Sequence, residues 1–161
     1  MPTFYSPEGN PEIWDACPEG YSTPEAWAAA HPAPEPEPPT LEEARAVALA
    51  RLDAAFSAAE ASGKTMSSAG FVIDATERSN RDIDGLIISL EATGAPETTF
   101  CAADNSFHTV TLDQLRTMRL EVIRHGQALY ARKWELRTAI ETAASADAVL
   151  AVDISFEGVG A

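Results

Sequence analysis

Apolar positions recur at helical spacing most clearly between Thr111 and Ala144. Leu112, Leu115, Met118, Val122, Ile123, Leu129, Tyr130, Leu136 and Ile140 fall on one broad face, with Asp113, Glu121, Arg124 and Glu135 opposite. That pattern predicts one long amphipathic helix. Thr111 is a good N-cap, and Gln114 three residues on completes a capping box. The apolar face is wide for a helix covering one neighbour. It must bury against several elements or against another chain.

The same signals place the other elements. Thr40-Leu41-Glu42-Glu43 is a second capping box, and it opens an Ala-rich helix to about Ala61 with Gly63 as its stop. Val47, Leu49, Leu52 and Phe56 supply that helix's larger apolar side chains. Gly70–Ala75 is β-branched and aromatic, so it reads as a strand. Ile83, Leu86, Ile87 and Leu90 return to helical spacing and stop at Gly94 and Pro96. Thr98–Ala102 and Phe107–Val110 flank the turn Ala103-Asp104-Asn105-Ser106 and predict a hairpin feeding the long helix. Val152–Phe156 alternates as an edge strand would. With those strands in one small antiparallel sheet covered by helices, the class is α+β.

Residues 1–39 differ in composition. They hold seven acidic residues (Glu8, Glu12, Asp15, Glu19, Glu25, Glu35 and Glu37) and no Lys or Arg. Thr3–Tyr5 and Glu12–Trp14 read as short strands. Thr23-Pro24-Glu25 starts a short helix to Ala30. Five prolines in the nine residues 31–39 exclude helix and favour an extended spacer. The expected organisation is a β-containing module over 1–30, a Pro-rich linker over 31–39 and an α+β domain over 40–161.

Charge and cysteine usage narrow the function. The chain has 161 residues with 25 acidic against 11 basic side chains, a formal net charge of −14. Nucleic acid and anionic membranes are therefore disfavoured as partners. No apolar run approaches a membrane span, and the start lacks the basic and apolar regions of a signal peptide. Synthesis in the cytoplasm without Sec export is expected. Cys17 and Cys101 form no CxxC and read as reduced, passive thiols.

No catalytic, cofactor or metal site is expected. His31, His108 and His125 are the only histidines, and no pair has ligand spacing on one element. Cys101 and His108 face each other across the expected hairpin, a thiolate–imidazole arrangement with no third, orienting group. Asp82 and Asp84, two apart on a helix, do not make a carboxylate pair. Phosphate loops, GxSxG, HExxH and EF-hand patterns are absent from the sequence.

The candidate sites are for partners. Phe4, Tyr5, Trp14, Tyr21 and Trp27 crowd a segment too short to bury them all. They close a mini-core or anchor a partner. Tyr130 and Trp134, one turn apart on the long helix, pack in the core or meet a partner. Arg119, Lys133 and Arg137 project near the apolar face, where they snorkel or pair with acidic groups of another element or chain.

Thr40–Phe156 resembles a domain of unknown function found in tail-associated proteins of tailed bacteriophages and prophages. The resemblance lies in LEEARAVALARLDAAF, in the run from Asp104-Asn105 through His108-Thr109-Val110-Thr111 to Gln114-Leu115, and in Gln127-Ala128-Leu129-Tyr130 through Lys133-Trp134 to Ile140. The first residues, TFYSPEGNPEIWDACPEGY, are similar to the starts of phage tail fibre assembly proteins. The resemblance implies a non-enzymatic tail fibre assembly factor or tail component, working by protein–protein contact in the host cytoplasm or within the virion, with self-association open. It carries over no catalytic residues. Two alternatives stay open: a virion enzyme acting on a cell-surface polymer, and a small acidic regulator of a host protein.

Overall fold

The computed structural model describes residues 1–32 and 37–160. The chain divides into two compact units, Met1–Pro38 and Pro39–Ala161. The spacer expected over 31–39 falls partly on 33–36, which lie outside the described residues.

In the first unit, β1 (Thr3–Tyr5) pairs antiparallel with β2 (Pro11–Ile13), with Phe4 opposite Glu12. Tyr5 also bridges to Ser22 through two backbone hydrogen bonds of 2.8 and 2.9 Å. Helix α1 (Pro24–Ala30) starts as expected, with Pro at its first turn and Thr23 Oγ1 accepting from the Ala26 N–H.

The second unit begins with α2 (Leu41–Ser62), whose capping box forms in both directions. Thr40 Oγ1 accepts from the Glu43 N–H, and the Glu43 carboxylate accepts from the Thr40 N–H. These bonds hold the Glu43 carboxyl below its usual range. The buried positions of α2 are Ala44, Ala48, Leu52 and Phe56, four apart each time. Val47 sits well round the helix from that line and is exposed. The small alanines let α2 lie close to its neighbour.

Two short ribbons and two more helices follow. β3 (Lys64–Met66) pairs with β4 (Val72–Asp74), and Thr65 faces Ile73. Strand β3 carries no strong propensity signal and was not anticipated. α3 (Glu77–Thr93) ends on Gly94 in the left-handed region, φ 69°. β5 (Glu97–Cys101) and β6 (Phe107–Thr111) form the expected hairpin. It runs directly into α4 (Leu112–Thr142), again through a complete capping box. A short α5 (Ala146–Leu150) follows.

The α+β class and the long C-terminal helix hold, with two corrections. The strands form separate two-stranded ribbons instead of one sheet. β3–β4 and β5–β6 meet at a corner, where the Ala103 N–H donates to Val72 O at 3.0 Å. Val152–Phe156 is not a strand. Its alternation instead drops Val152, Ile154 and Phe156 onto the helical core while the segment runs over it as a strap. Arg132 Nε donates to Ser155 O at 3.2 Å, and the Phe156 ring lies 5.9 Å from Phe56.

Helix α4 is the spine of this unit. Its buried positions step by three and four through Leu115, Met118, Val122, His125 and Leu129, then by seven to Leu136 and four to Ile140. Leu115, Met118 and Val122 join Ile73, Ile83, Ile87, Leu90 and Val110 in one core. Leu136 and Ile140 join Ala44, Ala48, Leu52 and Val149 in a second. Between the cores lies buried His125, whose Nδ1 is 3.3 Å from Gly160 O.

Gly63 has ordinary backbone angles, φ −56° and ψ 132°, so space and not conformation requires glycine there. A Cβ would meet Ala75 O and His125 Nε2, each at 2.9 Å. Gly63→Ala should cost about 1–3 kcal/mol by overpacking. Urea unfolding checks this: a lower midpoint with an unchanged slope is expected, and an unchanged midpoint would refute the close fit.

Candidate functional site

The five partner candidates on α4 divide by what they touch. Tyr130 and Trp134 are 49% and 57% exposed. Tyr130 meets the buried Phe56 ring edge-on at 4.9 Å, so only its outer half is available. Trp134 lies under the Arg137 guanidinium, 5.9 Å from the ring centroid. Ile123, on the same flank, is exposed as well.

The cations are already engaged. Arg119 pairs with Asp84 at 2.6 Å, and Arg137 with Glu141 at 2.8 Å. Lys133 pairs with Asp53 at 2.9 Å and lies 4.3 Å above the Phe56 ring. The Lys133 ammonium holds the Asp53 carboxyl below its usual range, first through the hydrogen bond and then through its charge. These basic side chains therefore serve the domain's own surface. Arg119 and Lys133 find their partners on other elements of the second unit, α3 and α2, whereas Arg137 finds its partner one turn on along α4 itself.

Beside Tyr130 a groove of about 730 Å³ opens between the end of α2, the start of α3 and the middle of α4. Ile123, Gly126 and Tyr130 form its α4 side, Glu60 and Ala61 come from α2, and Thr76 to Arg81 supply most of the third wall. Gly126 sits in mid-helix with open space where a Cβ would be. Glycine there costs the helix up to about 1 kcal/mol relative to alanine. Asn80 Oδ1, in the groove wall, is buried without a hydrogen-bond partner.

In the first unit the aromatic residues divide between a mini-core and an exposed pair. Phe4 is buried. Trp27 stacks with Tyr5 at 5.5 Å and with His31 at 3.8 Å, and a Cβ on Gly9 would come within 2.9 Å of its ring. Gly9 has φ +86°, so both turn and packing require it. These residues are the mini-core. Trp14 and Tyr21 stand apart, edge to face at 6.3 Å. Trp14 Nε1 and Tyr21 OH both donate to Glu12 Oε2 at 3.2 Å. Partial burial and then the Glu12 carboxylate raise the Tyr21 phenol above its ordinary range.

The hairpin does not bring Cys101 to His108, contrary to the expected pairing. Phe100 opposes His108, and Cys101 opposes Phe107. Neighbouring residues of a strand alternate faces, so the thiol and the imidazole point to opposite sides of the ribbon. The His108 ring stacks on Phe71 at 4.0 Å. Both cysteines are free thiols.

The turn holds a different constellation. Ser106 Oγ lies 2.5 Å from Asp104 Oδ1 and 2.7 Å from His108 Nε2. The serine hydroxyl stands between acid and imidazole, so the carboxylate cannot orient the ring as a catalytic triad requires. Asp104 Oδ1 also accepts from the Ser106 N–H at 2.9 Å, and Asn105 adopts φ +64°. This is turn chemistry of the Asx type.

The Ser106 hydroxyl and amide hold the Asp104 carboxyl below its ordinary range. With the folded value depressed, its contribution is present above the unfolded carboxyl pKa and is lost as pH falls through the folded value. The turn amides of Asn105 and Ser106 should shift only once the pH falls below the ordinary carboxyl range in wild type, and hold still in Asp104→Asn.

The family model described as a domain of unknown function, DUF4376, matches residues 43–155. The chain belongs to the DUF4376 family. No curated protein and no solved structure matches it. The DUF4376 match runs from the first turn of α2 to the strap after α5, taking in both cores, the groove and the exposed flank of α4. The Met1–Pro38 unit lies outside it. Among the described residues, no three His, Cys, Asp or Glu side chains are gathered so as to hold a metal ion. No helix among them is long and apolar enough to cross a membrane.

Proposed function

We propose that this chain is a non-enzymatic component or assembly factor of a bacteriophage tail, acting by contact with a fibre or another tail protein. The observation that carries the reading is the flank of α4. Ile123, Tyr130 and Trp134 are exposed along one side of the helix that also builds both cores. The adjoining groove keeps a mid-helix glycine and an unpartnered Asn80 oxygen. Exposed aromatics on a rigid element beside a groove are typical of residues that dominate binding energy in protein interfaces. The likeness of the Asp104–Leu115 and Gln127–Ile140 runs to tail-associated proteins supplies the partner class. Tyr130 and Trp134 belong to both the resemblance and the exposed surface. Assembly would take place in the host cytoplasm, with retention in the virion left to the partner.

Co-expression with a tail fibre protein from the same phage or prophage genome, followed by size-exclusion chromatography, tests the proposal. Co-elution that Trp134→Ala weakens is expected. A chain that elutes alone at every concentration, with the fibre protein folded without it, would refute the reading.

A further inference from the structure

We propose that Glu12, Trp14 and Tyr21 form a recognition site for an arginine side chain of a partner protein. Two hydrogen bonds from the rings, both 3.2 Å, fix the Glu12 carboxylate, and both fall on Oε2. Oε1 takes part in neither bond and remains as a second acceptor. The Trp14 and Tyr21 rings stand edge to face beside it, and Trp14 is 45% exposed. A carboxylate held against aromatic rings suits a guanidinium, which stacks on a π-face and donates in plane to the carboxylate.

The charge around the site points the same way. No Lys or Arg occurs in residues 1–39, so no basic Lys or Arg side chain of this unit pairs with Glu12. Glu8 adds a second negative charge, felt at the Tyr21 hydroxyl. The loop that carries Tyr21 is set by its own bonds. The Tyr21 N–H donates to Pro18 O at 3.1 Å, and Cys17 Sγ lies 3.4 Å from Tyr21 O. The mini-core is built by Phe4, Tyr5 and Trp27, so Trp14 and Tyr21 are not needed to fill it. The site lies outside the DUF4376 match and gives the chain a contact of its own beside the family domain.

This inference rests on the reading that the chain works through protein contacts, but its test uses no tail protein. The ¹⁵N-labelled full chain is titrated at low salt with the peptide acetyl-Gly-Ser-Arg-Gly-Ser-Arg-Gly-Ser-amide, and separately with the same peptide carrying citrulline for arginine. The arginine peptide should move the Trp14 indole N–H signal saturably, and the citrulline peptide should not. Glu12→Gln should weaken the arginine peptide about fivefold, while Glu25→Gln, a carboxylate on α1, should change it less than about twofold. Dispersion of the Trp27 indole signal reports that the unit is folded, and Tyr21→Leu, which keeps the Trp14 reporter, replaces Glu12→Gln if that variant loses it. Equal effects of Glu12→Gln and Glu25→Gln, or equal binding of the citrulline peptide, would overturn the proposal. That result would leave the α4 surface untouched, just as failed co-elution with a fibre protein would leave this site untouched.

Discussion

Trp134→Ala is expected to weaken binding of the proposed tail partner by about 30-fold or more, the loss that follows from removing an interface hot spot of at least 2 kcal/mol. The domain itself should remain stable. Trp134 is 57% exposed and takes no part in either core, so truncating it removes little buried area. Its contact with Arg137 is loose, and Arg137 keeps Glu141. Tyr130 is a less clean probe. Its edge-on contact with Phe56 means that Tyr130→Ala removes packing as well as surface, whereas Tyr130→Phe keeps the ring and tests the hydroxyl alone. Calorimetric titration of the Trp134→Ala chain with the co-eluting protein gives the answer. Wild-type affinity, with an unchanged melting curve, would place the interface elsewhere on the molecule.

The extent to which the sequence foretold these features follows the range of the forces involved. Elements set by local chemistry are written in short runs. Both capping boxes form as the residues at Thr40–Glu43 and Thr111–Gln114 imply, and Gly94 ends α3 in the left-handed conformation that glycine tolerates. Features set by tertiary contact are not. Strand β3 exists because Lys64–Met66 pairs with Val72–Asp74 across a tight loop, and no propensity in Lys-Thr-Met announces it. Val152–Phe156 alternates like a strand, but what the alternation records is contact with a helical core. A one-residue register difference decides the hairpin: Cys101 and His108 are seven apart around a turn, and opposition would need six or eight.

The partner candidates show the same division. Exposed aromatics on α4 were visible as an apolar face too broad for one neighbour, since Ile123 and Tyr130 lie round the helix from the Leu115–Ile140 seam. The ion pairs that occupy Arg119, Lys133 and Arg137 were not visible, because Asp84, Asp53 and Glu141 reach them by folding or by a local rotamer. Nor could the sequence separate Trp27 from Trp14. Both are tryptophans in a short acidic segment, and only the position of Gly9 and Tyr5 makes one of them core.

The second large effect concerns α4 as the shared spine. Leu115→Ala and Ile140→Ala each empty a fully buried site, one in each core. Each should cost about 2–5 kcal/mol from lost transfer energy and the cavity left behind. The cores share no buried side chain and would, if independent, melt separately. They share one continuous helix, however, and α4 packs against both α2 and α3. Breaking either core frees half of that helix. A half-helix of about fifteen residues is marginal alone in water. The loss should therefore pass to the other core, so that both variants lower one common transition of the second unit. Thermal unfolding followed by circular dichroism at 222 nm, with hydrogen exchange at Leu52 and Ile83 as local reporters, checks the coupling. In Leu115→Ala the two amides should lose protection together. Protection kept at Leu52 while Ile83 exchanges freely would mean that α4 holds two separable cores and not one cooperative domain.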